Sequence, residues 1–128
     1  MRLLLDTCTF LWLITDAPDL SATVRARFTD PANEIFLSAA SAWEIGIKWK
    51  RGRLPLAQPP TSFVPDQREA HGITPLAIDE ESALHVTRLP DLHRDPFDRM
   101  LVSQAIVHGL VLLTPDPLVT QYPARTLW

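Results

Sequence analysis

Glycine is scarce in this chain, with four residues among 128. No Gly-rich phosphate loop can be assembled from them, which argues against nucleotide-triphosphate chemistry. One cysteine, Cys8, leaves no partner for an internal disulfide and no all-cysteine zinc site. The four histidines (His71, His85, His93 and His108) show no spacing that makes a metal pair. No run approaches the roughly 18 apolar residues that read as a membrane span. The opening Met1–Leu5 stretch could pass for the start of a signal peptide. Asp6 interrupts it, however, no small-residue cleavage site follows Ile14, and no lipidation pattern precedes Cys8. The expectation is a cytoplasmic protein without membrane attachment. Positive charge is also short: 12 Lys and Arg against 15 Asp and Glu leave a net charge of −3. The chain as a whole would not attract a polyanion, so nucleic acid would need a local basic patch and a bridging metal.

What is present is ordinary for a globular protein: 46% apolar and 21% charged residues, enough for one domain over residues 1–128 with a real core. Twelve prolines cluster at turns and helix starts. Short strands are expected at Leu3–Asp6, Glu34–Ser38, Ile73–Ala77 and Leu110–Thr114, with a short last one at Arg125–Trp128. Helices are expected over Thr9–Ile14, from Ser21 to Thr29, and from a Ser41 cap through Lys48 to near Gly52. Further helices should cover Thr61–His71, weakened by Pro65, and Asp79–Arg88. Asp95 should cap a long one with Pro96 in its first turn, running to Val107 and ended by Gly109. Leu54–Pro60 reads as a connector. Alternation of strands and helices implies an α/β fold: a parallel sheet of four or five strands, flanked by helices on both faces.

Several apolar runs stop on or near an acid. Leu3–Leu5 ends at Asp6, and Leu110–Thr114 leads into Asp116. Ile35–Leu37 opens a helix carrying Glu44, and Asp98 sits in the first turn after Asp95. Each has a plain structural reading. Asp6 could be a turn residue or cap, Asp116 a turn residue between Pro115 and Pro117, Asp98 a capping-box partner, and Glu44 a complement to the helix dipole. Together they suggest convergence at the carboxyl ends of parallel strands. Two carboxylates about 5 Å apart repel by roughly 3 kcal/mol at an effective dielectric near 20. Four would therefore strain the site by on the order of 10 kcal/mol, which a hard cation such as Mg²⁺ or Mn²⁺ relieves. Such an ion also serves phosphodiester hydrolysis.

Lys48, Lys50, Arg51 and Arg53 lie within six positions. They suit a helix C-terminus, or a basic rim that catches a nucleic-acid backbone, with Arg94 and Arg99 on the far side. His93, just before the Asp95 turn, could approach the site but reads rather as a surface or capping residue, and Cys8 as a small buried one; Trp12, Trp43, Trp49 and Trp128, with Phe10 and Phe28, read as core and interface rather than as base-stacking platforms.

The segments Leu4–Thr7, Leu37–Lys48, His93–Ala105 and Leu113–Asp116 occur in an order that resembles the PIN-domain family, specifically the VapC-type toxins of bacterial toxin–antitoxin modules. The helix Trp43-Glu44-Ile45-Gly46-Ile47-Lys48 and the turn Arg94-Asp95-Pro96-Phe97-Asp98-Arg99-Met100-Leu101 carry most of the likeness. The resemblance implies a ribonuclease with Asp6, Glu44, Asp98 and Asp116 as catalytic, metal-binding acids. Asp6 and Asp98 would be the foremost ligands of one or two Mg²⁺ or Mn²⁺ ions. Thr7, Ser38 and Thr114 match polar positions lining the family's site, and Lys48 and Arg99 match basic ones near the substrate. Asp95 is an additional acid that could share the metal. The resemblance also implies an RNA substrate, a homodimer, and a small VapB-like antitoxin, for which apolar Phe10–Ile14 is a candidate docking surface. Two other readings compete: an aspartyl-nucleophile phosphatase, disfavoured because Cys8 stands where a second acid is needed, and a non-catalytic protein-interaction module.

Overall fold

Leu3, Leu4 and Leu5 are each inaccessible to solvent, so the strand they form must be covered on both faces. In the computed structural model, which describes all 128 residues, β1 (Arg2–Leu5) is the middle strand of five. The others are β2 (Glu34–Ser38), β3 (Thr74–Leu76), β4 (Val111–Leu113) and β5 (Thr126–Leu127). All pairings are parallel, in the order β3-β2-β1-β4-β5. Leu4 stands beside Phe36 on one side and Leu112 on the other.

The two-residue period of the strands divides the core. Leu3, Leu5, Ile35, Leu37, Val111 and Leu113 face one layer, packed with Phe10, Val24, Ile45, Phe63 and Val64. These come from α1 (Thr7–Thr15), α2 (Ala22–Thr29), α3 (Ala39–Lys50) and α4 (Pro60–Ala70). Leu4, Phe36 and Leu112 face the other, against Leu101, Val102 and Ala105 of α6 (Pro96–His108). The remaining helix, α5 (Glu80–His85), packs on α6. Each fully buried leucine contributes about 2 kcal/mol relative to exposure. Phe10 is itself core, and Leu11–Ile14 are half-buried against it, so this segment offers less free apolar surface than the sequence suggests.

Several boundaries differ from those expected, each for a local reason. Asp6 is not the last strand residue but the cap of α1, its carboxylate accepting from the Thr9 N–H at 2.7 Å. Ser38, not Ser41, caps α3: its hydroxyl accepts from the Ala40 N–H at 3.0 Å, so the chain passes from β2 straight into the helix. Ser41 is buried within α3, its Oγ 3.0 Å from the Thr7 hydroxyl, to which it donates. The expected Asp79–Arg88 helix breaks into α5 and a 3₁₀ turn at Val86–Arg88. α6 ends where Gly109 adopts φ 66°, a conformation glycine takes without a side-chain penalty.

Candidate active site

The strand order reverses between β1 and β4: the chain builds outward through β2 and β3 on one side, and to β5 on the other. Side chains just past the carboxyl ends of these two strands therefore open onto one crevice. The Asp6 N–H donates to the Leu113 carbonyl at 3.3 Å, fixing the ends of β1 and β4 together. Thr114 and Asp116 follow β4, while α3 and α6 deliver Glu44 and Asp98 to the same end.

Asp6 is nearly buried, and that burial raises its carboxyl above the usual range, partly offset by hydrogen bonds with Thr114 and Thr9. Glu44 is equally enclosed, yet both its oxygens are engaged. Oε1 accepts from the Thr7 hydroxyl and Oε2 from the Lys48 ammonium, each at 2.6 Å. The Lys48 ammonium is pushed up in return by that hydrogen bond. Asp98 is the most perturbed. Burial first, then the charges of Asp95 and Glu44, push its carboxyl up to about 7. Four of the chain's acids thus act on one another around Asp98, because Asp6 also raises it.

Asp98 does not complete a capping box. The Asp95 carboxylate caps α6 alone, accepting from Phe97 and Asp98 N–H groups at 2.8 and 3.4 Å. The Asp98 side chain is thereby free to turn inward. The two prolines around Asp116 do not aim it away. Its Oδ1 accepts from the Leu118 N–H at 2.9 Å, its own N–H donates to Thr114 Oγ1 at 3.1 Å, and Oδ2 faces the crevice.

The sequence favours a surface or capping role for His93, yet the structure brings it to the acids. Its Nε2 lies 3.1 Å from Asp98 Oδ2 and 3.3 Å from Asp116 Oδ2. Its Nδ1 accepts from the Asp95 N–H at 3.1 Å, so in the neutral ring the proton sits on Nε2 and is shared between the two acids. No spacing rule would find this residue, because the contact to Asp116 spans 23 positions. One donor atom each from His93, Asp98 and Asp116 lie within 4.8 Å of one another. The carboxylates are hard oxygen donors that suit Mg²⁺ or Mn²⁺, with the His93 Nε2–H orienting two of them.

Beside the acids runs a groove of about 570 Å³, lined by Glu44, Lys48, Arg51, Arg53, Arg94 and Phe97 among others. Other expected residues turn out differently. Arg99 is committed elsewhere, donating to the carbonyls of Pro90 and Val86 and to the Tyr122 hydroxyl, and it does not line the groove. Ser38 is buried, its hydroxyl given to Gln104, which makes it a structural link between α3 and α6. Cys8 is exposed rather than buried in the core. Partial desolvation of its sulfur, then the Asp6 charge, raises its thiol, which keeps it protonated. Trp43 is 62% exposed and is not core at all.

A family profile for the PIN domain matches residues 3–123. The chain belongs to the PIN domain family. Among curated proteins, this PIN domain is similar to Ribonuclease VapC16 of Mycobacterium tuberculosis, at 44% identity over 69 residues, covering 54% of this chain and 49% of that protein. The matched part thus spans about half the length of that relative. Among solved structures, VapBC2 from Rickettsia felis bound to a promoter DNA fragment gives a TM-score of 0.73 at 14% identity, covering 99% of this chain and 98% of that one. DNA-bound VapBC from Salmonella typhimurium gives 0.71 at 19%, covering 99% and 97%. At such identities these likenesses speak for the PIN fold alone.

Proposed function

We propose that this PIN domain is a metal-dependent endoribonuclease of the VapC type, the toxin of a cytoplasmic toxin–antitoxin module. The observation that carries the reading is the group of Asp98, Asp116 and His93 at the β1/β4 reversal, with Asp98 pushed up to about 7 beside further acids. Asp6, Glu44, Asp98 and Asp116 would hold Mg²⁺ or Mn²⁺. When bound, the ion supplies charge neutralisation and Lewis acidity at the phosphate.

The chain's own groups divide the remaining work. Glu44, clamped by Thr7 and Lys48, orients the water that adds to phosphorus as one P–O ester bond breaks. Thr114 supports Asp6 and Asp116. Lys48, with Arg51, Arg53 and Arg94, holds the backbone phosphates of RNA along the groove. A homodimer and a VapB-like antitoxin belong to the same proposal, supported by structural neighbours solved as VapBC assemblies.

The test is cleavage of single-stranded RNA by the purified chain with Mg²⁺, with Mn²⁺ and with EDTA. Cleavage should require the metal and vanish in Asp6→Asn while the variant stays folded. Undiminished cleavage in EDTA, or a fully active Asp6→Asn, would reject the mechanism.

A further inference from the structure

Trp43 lies on the outer face of α3, one residue before Glu44, and only Phe97 is in aromatic contact with it. The two ring centroids are 5.1 Å apart and the planes meet at 82°. Phe97 in turn is part of the wall of the basic groove that Glu44 closes at its acidic end. A second depression adjoins it, lined by Trp43, Gly46, Ile47, Lys50 and Arg51, with Ile47 and Arg51 common to both. Its floor is open: a methyl group added at Gly46 would meet nothing within 4 Å. The cations around these rings are unspent. Lys50, Arg51, Arg53 and Arg94 form no ion pair with any carboxylate of the chain.

We infer that Trp43 and Phe97 form a stacking platform for one unpaired base, held beside the acids while Arg51, Arg53 and Arg94 grip the flanking phosphates. This rests on the nuclease reading and narrows it, because a base can reach the Trp43 face only if it is free of a partner strand. An exposed indole beside four unpaired cations calls for an occupant that is both anionic and flat-faced. A second copy of the chain meeting this face about a two-fold axis would set Lys50 and Arg51 near their own counterparts, which repel. An acidic peptide would place its carboxylates next to Glu44 and Asp95 in the same groove. Single-stranded nucleic acid supplies phosphates at the cations and π-faces at the rings, the pairing used by proteins that bind single strands.

Binding is read by anisotropy of a 5′-labelled octaadenylate in EDTA, where no cleavage competes. A fully abasic sugar-phosphate chain of the same length and charge is the control. Trp43→Ala, at an exposed position that the core does not use, should weaken octaadenylate binding by about tenfold and leave the abasic chain unaffected, while Trp43→Phe retains most of the affinity. Equal losses on both chains, or no loss on octaadenylate, overturn the platform. So does a fall in the protein's sedimenting mass in Trp43→Ala with RNA affinity unchanged, since that assigns the indole to a protein interface. Metal-dependent cleavage by the unaltered chain is scored separately, so the platform can fail while the nuclease stands, and the reverse.

Discussion

Replacing Asp98 with asparagine should make the metal-free protein more stable and the metal-loaded protein less so. Asp98 is held at about 7 against an ordinary 3.8. Between those values the folded chain keeps a proton that the unfolded chain has released. Stability is therefore highest on the acid side of that window and declines as pH rises through it. The full shift corresponds to about 4 kcal/mol at pH 8. The side chain is 22% exposed, so solvent screening and relaxation reduce this to on the order of 2 kcal/mol. Asparagine keeps an oxygen for the His93 donor and carries no charge. In EDTA at pH 8, Asp98→Asn should melt roughly 7 °C above the unaltered chain, given the entropy of unfolding of a domain this size. At pH 5 the difference should shrink to about half or less. Adding Mn²⁺ should raise the melting temperature of the unaltered chain and leave the variant nearly unmoved. If Asp98→Asn melts at or below the unaltered chain in EDTA at pH 8, the acids do not strain one another, and the argument for a cation fails with them.

Other substitutions separate binding from architecture. His93→Ala removes the donor shared by Asp98 and Asp116, and should weaken Mn²⁺ binding by about tenfold in calorimetry, within the range for residues that orient ligands; an unchanged affinity would leave the imidazole without a role at the metal. Thr7→Val frees Glu44 Oε1 and should lower kcat by roughly tenfold while KM stays within about twofold, a pattern that a loss of RNA binding would invert. Arg99→Ala cuts the ties to Pro90, Val86 and Tyr122, so chemical denaturation should show a loss of about 2 kcal/mol. KM for RNA should hold steady in that variant, and a raised KM with intact stability would return Arg99 to the substrate side.

Local pattern determined much of this protein. Runs such as Leu3–Leu5 and Val111–Leu113 are apolar on both faces, so they had to be interior parallel strands. Pro96 after Asp95 and Gly109 after His108 bounded α6 by backbone preference alone. Acids placed just after such strands announced a crevice, because parallel strands of one sheet end on the same side. Where signals competed locally, letters could not choose. Ser41 reads as the cap of α3, yet Ser38 takes that place, its hydroxyl accepting from the Ala40 N–H while donating to Gln104, a residue 66 positions away.

Only the tertiary structure decided what each polar group does once it arrives. Arg99 and Arg94 flank the same turn, yet one is spent on carbonyls of a neighbouring loop and the other faces the groove. Trp43 reads as core or interface from the sequence and lies on the surface, while Ile45 on α3 is buried. His93 joins the acids because the turn into α6 carries it towards Asp116, and the Asp95 N–H fixes where its proton sits. Periodicity and capping act over a few residues and can be read along the chain. Hydrogen-bond partners and charge burial depend on groups brought together from distant positions, so they come into being only when the chain folds.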